Sequence, residues 1–473
     1  MGGTAVSALY ADALAEALPR SHWLDHPDAP APRPALTGDT VCELAVVGGG
    51  FSGLWTALLA KERDPSQDVV LVEARTAGWA ASGRNGGFVS SSLTHGLGNG
   101  AERWPEELAT LERLGLENLD EIEEALTRYG IDCGFRRDGK LWAATEPHQV
   151  AEARALCDLA AAHGRKISFL SREEIQAEVH SPTFLAGAHD PRGYALTDPA
   201  RLVWGLLEAC VRAGVRVYEN TPVRRMREGV GTDAVVLETP YGRIGARRVA
   251  LATNVFPSLL KRLRLYTVPV YDYVLTTEPL TEAQLGSIGW RGRQGMSDLG
   301  NQFHYFRLTE DRRILWGGYD AIYHYGNGLR DELDQRPETF AKLASHFFTT
   351  FPQLEGVRFS HAWGGAIDTC TRFTAFYGQA MRGRVSYALG YTGLGVAASR
   401  FGAQVMLDLL SGRETERTRL RMVRTKPLPF PPEPARYAGV ELTRRSLDRA
   451  DRQGGHRNAW LRTLDRLGLG FDS

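Results

Sequence analysis

The chain has 473 residues, 43% of them apolar and 24% charged, with 56 basic residues balanced by 56 acidic ones. A chain of this length buries about three quarters of its unfolded surface, so no disulfide or metal is needed to staple its core. Zero net charge excludes charge-driven binding to nucleic acid or to an anionic membrane as its main business.

At about 150 residues per domain, two or three interlocked units are expected. The five cysteines (42, 133, 157, 210 and 370) are scattered and form no C-x-x-C pair, so neither a zinc site nor a disulfide framework is predicted. No basic segment followed by an apolar core marks a signal peptide. Met1-Gly2 resembles a myristoylation start, but Val6 stands where Ser or Thr is required. No apolar run approaches the roughly 18 residues of a membrane span. A soluble, cytoplasmic protein is expected.

Residues 1–37 read as an amphipathic helix followed by a proline-punctuated arm. From Glu43 to Glu73 the pattern is strand, turn, helix, strand, the size of one βαβ unit. The spacing then predicts helices over 105–129, 147–163 and 171–179, with a hairpin at Asp138-Gly139. Asp198 is placed to cap a helix that starts at Pro199. A strand over 215–223, a hairpin around Pro240-Tyr241-Gly242 and a strand over 249–252 follow. Alternating aromatic and β-branched residues at 268–276, 303–308 and 314–319 predict an antiparallel sheet with one face covered. The chain returns through a strand at 385–389 to a glycine-rich turn and a helix ending near Leu410. A proline-rich strap and an Arg-rich helical tail close the sequence.

Gly48-Gly49-Gly50-Phe51-Ser52-Gly53 fits G-x-G-x-x-G, and Glu73 follows 20 residues after Gly53 at a strand end. Gly48 permits the tight turn, Gly50 lets the backbone approach a pyrophosphate, and Gly53 lets helix and strand pack closely. The helix N-terminus faces the phosphates and Glu73 accepts hydrogen bonds from ribose hydroxyls. The other reading is a plain βαβ turn. Next, Glu73-Ala74-Arg75 runs into Ser82-Gly83-Arg84-Asn85-Gly86-Gly87, where a nicotinamide-only domain would enter another βαβ unit. Backbone N–H groups and short side chains there suit a longer bound cofactor. A third turn, Gly390-Tyr391-Thr392-Gly393-Leu394-Gly395-Val396, precedes the last long helix. Its helix N-terminus carries roughly half a positive charge, suited to a cofactor that becomes anionic on reduction.

In these three segments the sequence resembles the FAD-dependent oxidoreductases of the D-amino acid oxidase type, and within them the γ-glutamylputrescine oxidase-like branch. The resemblance implies an α/β fold: a doubly wound Rossmann-like FAD-binding domain with an antiparallel or mixed-sheet substrate domain. It places the FAD domain at 38–102, 185–262 and 360–412, and the substrate domain, with six to eight strands, at 103–184 and 263–359. The arm at 1–37 and the tail at 413–473 lie outside both. FAD, expected to be non-covalent, would be held by Gly48, Gly50, Phe51, Ser52, Gly53, Glu73, Ala74, Arg75, Ser82, Arg84, Asn85, Gly86 and Gly87. Val223, Thr253, Gly364, Gly393, Leu394, Gly395 and Val396 complete the implied set. Some relatives attach the ring to Cys or His, which raises Cys370 as an attachment point; an inert buried thiol is its other reading.

The implied reaction is oxidation of a C–N bond of a small amine or N-substituted amino acid to an imine, with hydride transfer to flavin N5 and hydrolysis to an aldehyde or keto product. Such a step needs a dry pocket and an oriented amine rather than an acid–base dyad. His304, Tyr305, Arg307 and Tyr319 are the candidate substrate contacts, and Trp316, Asp320 and Tyr391 the candidate catalytic ones, with Asp320 read as the partner of a substrate ammonium. Arg307 reads as a clamp for a carboxylate or as an Arg paired across the sheet; the aromatics read as substrate cage or as core. Monomeric sarcosine oxidases, which share this fold, place a lysine shortly before a Gly-Tyr pair. Here that position, before Gly318-Tyr319, is Trp316, so the electron acceptor is oxygen or another partner. A nicotinamide-dependent dehydrogenase and a catalytically silent flavin binder are the competing readings.

Overall fold

The structure, a computed structural model, describes residues 10–229 and 234–469. The reading of Met1-Gly2 and Val6, and the first part of the expected N-terminal helix, lie outside the described residues; a short helix Ala11–Leu14 precedes the arm.

The first sheet has eight strands. Its parallel centre runs Val385–Leu389, Gly242–Leu251, Thr40–Val47, Val69–Val72, Arg216–Tyr218. Phe376–Ala380 adds antiparallel to the Val385–Leu389 edge, and Val235–Thr239 and Arg225–Glu228 fold as a meander from Gly242–Leu251. Val69–Val72 is buried on both faces, as its unbroken apolar run requires. Three helices, Phe51–Arg63, Pro199–Arg212 and Gly395–Ser411, cover one face. Leu54, Trp55, Leu58 and Phe401 lie in that core, each worth about 1.5–3 kcal/mol on burial. Asp198 caps the second helix as expected, its carboxylate accepting from the N–H groups of Ala200 and Arg201.

The second sheet has nine strands, in the order Ile322–Tyr323, Val268–Thr277, Ile314–Gly318, His304–Leu308, Gly295–Asp298, Lys140–Ala144, Ala186–Asp190, Ser168–Leu170, with Phe359–Thr369 also paired to Val268–Thr277. Successive side chains alternate between faces. Leu275, Phe306 and Trp316 point to one face and pack with Phe347 and Phe351 under the helix Pro337–Thr350. Asp272, Val274, Tyr305, Ser297 and Trp142 point to the other, which looks across a cavity at the first domain.

The sheets depart from the expected boundaries in two places. Ala186–Asp190 and Phe359–Thr369 belong to the second sheet, so it exceeds eight strands. Nor does Asp138-Gly139 form a hairpin: Arg136 bridges to Leu196, while Lys140–Ala144 pairs with Ala186–Asp190 and Gly295–Asp298. Turn chemistry marked a reversal there, but each flank found a distant partner.

Candidate functional site

The Gly48–Gly53 turn joins Thr40–Val47 to the helix Phe51–Arg63. Gly48 has φ +114°, and a Cβ on it would lie 2.3 Å from the Ala252 carbonyl oxygen; a Cβ on Gly53 would lie 1.8 Å from that of Gly48. No other residue fits either position without moving backbone. The helix carries no side-chain cap at Gly50, and Gly50, Phe51 and Ser52 at its start line the cavity. Ser82 Oγ takes the Phe51 N–H at 3.0 Å. Glu73 accepts from Gly49 N at 2.6 Å, Arg75 N at 2.9 Å and Trp79 Nε1 at 2.9 Å. A carboxylate has about four acceptor sites, so these three donors leave one free, and Glu73 lines the cavity.

The 79–87 segment is tied down from both sides. Asn85 donates to the Ala81 and Ser82 carbonyls, and its oxygen accepts the Gly87 N–H at 2.8 Å. Trp363 Nε1 donates to Arg84 O, and the Arg84 guanidinium pairs with Asp334. Arg75 makes a two-bond pair with Asp331 at 2.9 and 3.0 Å. Both arginines therefore latch the first domain to the 331–334 turn of the second, and Arg75 does not line the cavity.

At the third turn, Asp368 accepts the Gly390 N–H at 2.6 Å, and burial pushes its carboxyl up to about 7 against that bond. Ser52 Oγ and Tyr391 Oη lie 3.1 Å apart, joining the first turn to the third. A Cβ on Gly393 would meet nothing within 4 Å; Gly393, Leu394, Gly395 and Val396 line the cavity at the uncapped start of Gly395–Ser411. Cys370 does not line it. Its thiol donates to the Thr374 carbonyl at 3.2 Å, and burial raises its pKa.

All of these turns open into one cavity of about 2040 Å³. That is about twice a large drug-sized pocket, as a dinucleotide plus a substrate require. Ala74, Gly86, Val223, Thr253 and Gly364 also line it, whereas Gly53 and Gly87 act through backbone packing behind the lining.

The candidate substrate residues divide. Tyr305 lines the cavity and donates to Asp272 Oδ2 at 2.6 Å. Tyr319 lines it too, held at φ +64° with its hydroxyl 3.1 Å from Asp448 of the tail helix Ala435–Arg452. Three others do not reach it. Trp316 is 1% exposed in the core on the far face of the sheet, stacked on His304. His304 spends its ring on Asp298 at 2.6 Å and His346 at 2.9 Å. Arg307 is buried on Gly87 O and Thr197 O, shaping the second cofactor turn rather than clamping a carboxylate. Asp320 borders the cavity, but its carboxylate takes two bonds from Lys342 and one each from Thr339 and Arg336. Burial raises its carboxyl, yet those partners together outweigh burial and hold it below the usual range. It has no charge to spare for an ammonium.

Asp272 and Asp368 were missed from the sequence. Burial pushes Asp272 up to about 6, against the Tyr305 bond. Asp272 is a lone acid in the run Val-Pro-Val-Tyr-Asp-Tyr-Val, and that isolation was the available signal; Asp368 gave none, because its strand Phe359–Thr369 also carries Ser360, His361 and Thr369.

Comparison with known proteins closes the assignment. The family described as FAD dependent oxidoreductase (DAO) matches residues 43–409, and the chain belongs to that family. FAD is thus its cofactor, and it is an oxidoreductase with a doubly wound domain; a nicotinamide as the resident cofactor is set aside. Gamma-glutamylputrescine oxidoreductase of Escherichia coli is 31% identical over 391 residues, 81% of this chain and 86% of its own. Probable oxidoreductase OrdL of Haemophilus influenzae is 26% identical over 409 residues, 83% of this chain and 88% of its own. Among solved structures, glycine oxidase from Geobacillus kaustophilus shares the fold with a TM-score of 0.67 at 20% identity, over 82% of this chain and 99% of that one. Among the described residues no helix is long and apolar enough to cross a membrane.

Proposed function

We propose that the protein oxidises a C–N bond of a small amine or N-substituted amino acid to an imine, which water hydrolyses to an aldehyde or keto product. When bound, FAD would supply the two-electron acceptor for the hydride leaving carbon, with oxygen or another partner as the final electron acceptor. The observation that carries this reading is the continuity of one cavity from the Glu73 and Gly393 turns to the Tyr305–Asp272 face. The relatives that act on amines or amino acids by name support the substrate class.

Each element of the site has a task. Glu73 and the turns at Gly48, Gly86 and Gly393 bind the cofactor. Asp272 Oδ2, a carboxylate above about pH 6, binds the substrate ammonium and takes a proton from it, so that the lone pair of the neutral amine forms the C=N bond as hydride leaves carbon; Tyr305 fixes the direction of the carboxylate. The apolar wall of Val274, Trp363 and Val396 excludes water. Cys370 is turned into the protein, which favours non-covalent FAD. The same site placed in the cytoplasm would meet amine metabolites rather than secreted substrates.

The test is a visible spectrum of the purified protein before and after anaerobic addition of an amine panel. Flavin bands that bleach with an amine and return in air support an amine oxidase. Bleaching that air does not reverse indicates a different acceptor. Bands that no amine bleaches would leave a silent flavin binder.

A further inference from the structure

Part of the cavity wall comes from the tail, beyond the span 43–409 that the family model matches. Arg436, Gly439, Val440, Thr443, Arg444 and Leu447 of the helix Ala435–Arg452 all line the cavity. Their spacing puts them on one stripe of that helix. Trp460 and Leu464, four residues apart on the helix Ala459–Arg466, line it as well. Trp460 Nε1 donates to Thr443 Oγ1 at 3.0 Å, which joins the two helices. Carboxylates pin the longer helix to the second domain. Asp451 accepts the Asn301 and Gln302 N–H groups at 2.9 and 3.0 Å, and Glu433 accepts that of Gly326 at 3.0 Å. The tail is a built part of the cavity.

The arginines of this wall are already engaged. Arg444 makes two bonds to Glu441 at 3.3 and 3.0 Å, and Arg457, which also lines the cavity, makes two to Asp465 at 2.9 and 2.6 Å. Arg436 is buried and donates to the Pro431 carbonyl at 3.0 Å and to Asn327 Oδ1 at 2.8 Å. The Thr443 hydroxyl donates to the Gly439 carbonyl at 2.8 Å. What this wall presents is therefore Val440, Leu447, Trp460 and Leu464. Covering such a surface with an apolar group removes it from water, which is favourable. A polar group placed there would lose its bonds to water and find no replacement.

The amine site adjoins this wall. The Gly318 N–H bonds to the Asp272 carboxylate. The next residue, Tyr319, lines the cavity and donates to Asp448, the neighbour of Leu447 on the tail helix. From Leu447 back to Val440 the stripe runs two turns, about 10 Å, roughly the reach of an octyl chain. Resting on the amine-oxidation reading above, we propose that Val440, Leu447 and Trp460 receive an alkyl or aryl substituent of the amine whose nitrogen is held at Asp272. The enzyme then selects such amines over those of equal length that end in a hydroxyl or a carboxylate.

The test is the second-order rate constant of anaerobic flavin bleaching in the loaded enzyme. The donors are n-alkylamines from propyl to decyl, phenylalkylamines, and the ω-hydroxy and ω-carboxy amines of matching length. Bleaching needs no electron acceptor, and the alkylamines titrate alike, so ratios among them report the chain alone. The constant is expected to rise roughly two- to fourfold per methylene, the worth of burying one CH2, and to level near octyl. Polar-ended amines of the same length should fall about tenfold below. Trp460→Ala is expected to flatten the slope, and Val440→Phe to move the levelling point to a shorter chain. The wild-type series stands as a test even if neither variant folds. A flat wild-type series, polar-ended amines that match or exceed the alkylamines, or a slope that both variants leave unchanged overturns the inference while amine oxidation stands. If no amine of any kind bleaches the flavin, the amine reading falls and this inference with it.

Discussion

Tyr305 reaches Asp272 across a strand that separates them. The two residues lie on His304–Leu308 and Val268–Thr277, with Ile314–Gly318 between, yet the Tyr305 hydroxyl donates to Asp272 Oδ2 at 2.6 Å. The ring passes over Gly317, where a Cβ would lie 2.7 Å from its Cζ. A missing side chain in the middle strand therefore lets a phenol and a carboxylate meet on the cavity face. The same pair explains why Asp272 keeps its charge at neutral pH despite burial.

Asp272→Asn is expected to raise the KM for a cationic amine about tenfold, the lower end of an ionic hydrogen bond. Because Asp272 titrates near 6, wild-type kcat/KM falls as pH drops through that value and the carboxylate is lost. The Asn variant has no such limb. A variant profile that keeps the limb near pH 6 would assign it to another group.

Gly317→Ala tests the bridge rather than the acid. The new methyl pushes the Tyr305 ring off Asp272, so the amine KM should rise as in Asp272→Asn while the flavin spectrum is retained. Tyr305→Phe is the companion: it removes the hydrogen bond without crowding the strand. Unchanged amine kinetics in both variants would remove the pair from the site.

Glu73→Gln replaces an acceptor oxygen with an amide that must face donors from Gly49, Arg75 or Trp79. One of these bonds turns into an N–H against N–H contact, and the acceptor for the ribose is weakened. FAD affinity is expected to fall by roughly 10- to 100-fold, at about 1.5–3 kcal/mol per charged hydrogen bond. Flavin retained on desalting, measured by absorbance per protein, checks it; wild-type retention would move the ribose contact away from Glu73.

The cofactor half of the site was legible because its chemistry is local. Gly48, Gly53 and Glu73 are spaced along one βαβ unit, and close backbone approach leaves glycine no substitute. The substrate half was not, because strand alternation tells which residues share a face but not which face meets the cavity. Tyr305 and Trp316 were both aromatic at strand spacing; the helix Pro337–Thr350 covers the face that carries Trp316. His304 and Asp320 were drawn off by His346 and Lys342, more than 20 residues later in sequence. The domain boundaries failed for a related reason: Ala186–Asp190 pairs with Lys140–Ala144, a choice made by two distant segments together. Asp451, which accepts from Asn301 N, Asn301 Nδ2 and Gln302 N at 2.9, 2.6 and 3.0 Å, read only as part of a charged tail.

Asp368→Asn carries a stability prediction with a definite sign. Burial raises the folded-state pKa of Asp368 from the ordinary carboxyl range to about 7. The neutral acid is thus the form the fold prefers, so its stabilising contribution is full below the unfolded pKa and is lost as pH rises through about 7. At about 1.4 kcal/mol per pKa unit, the contribution is of the order of a few kcal/mol for this 3% exposed group. The Asn side chain keeps an oxygen for the Gly390 N–H and cannot ionise. Thermal unfolding of the flavin-loaded protein at pH 5 and pH 8 should therefore show a smaller loss of Tm in Asp368→Asn than in the wild type. Equal losses would mean that Asp368 keeps one protonation state from pH 5 to pH 8, and would remove it as the source of the pH dependence.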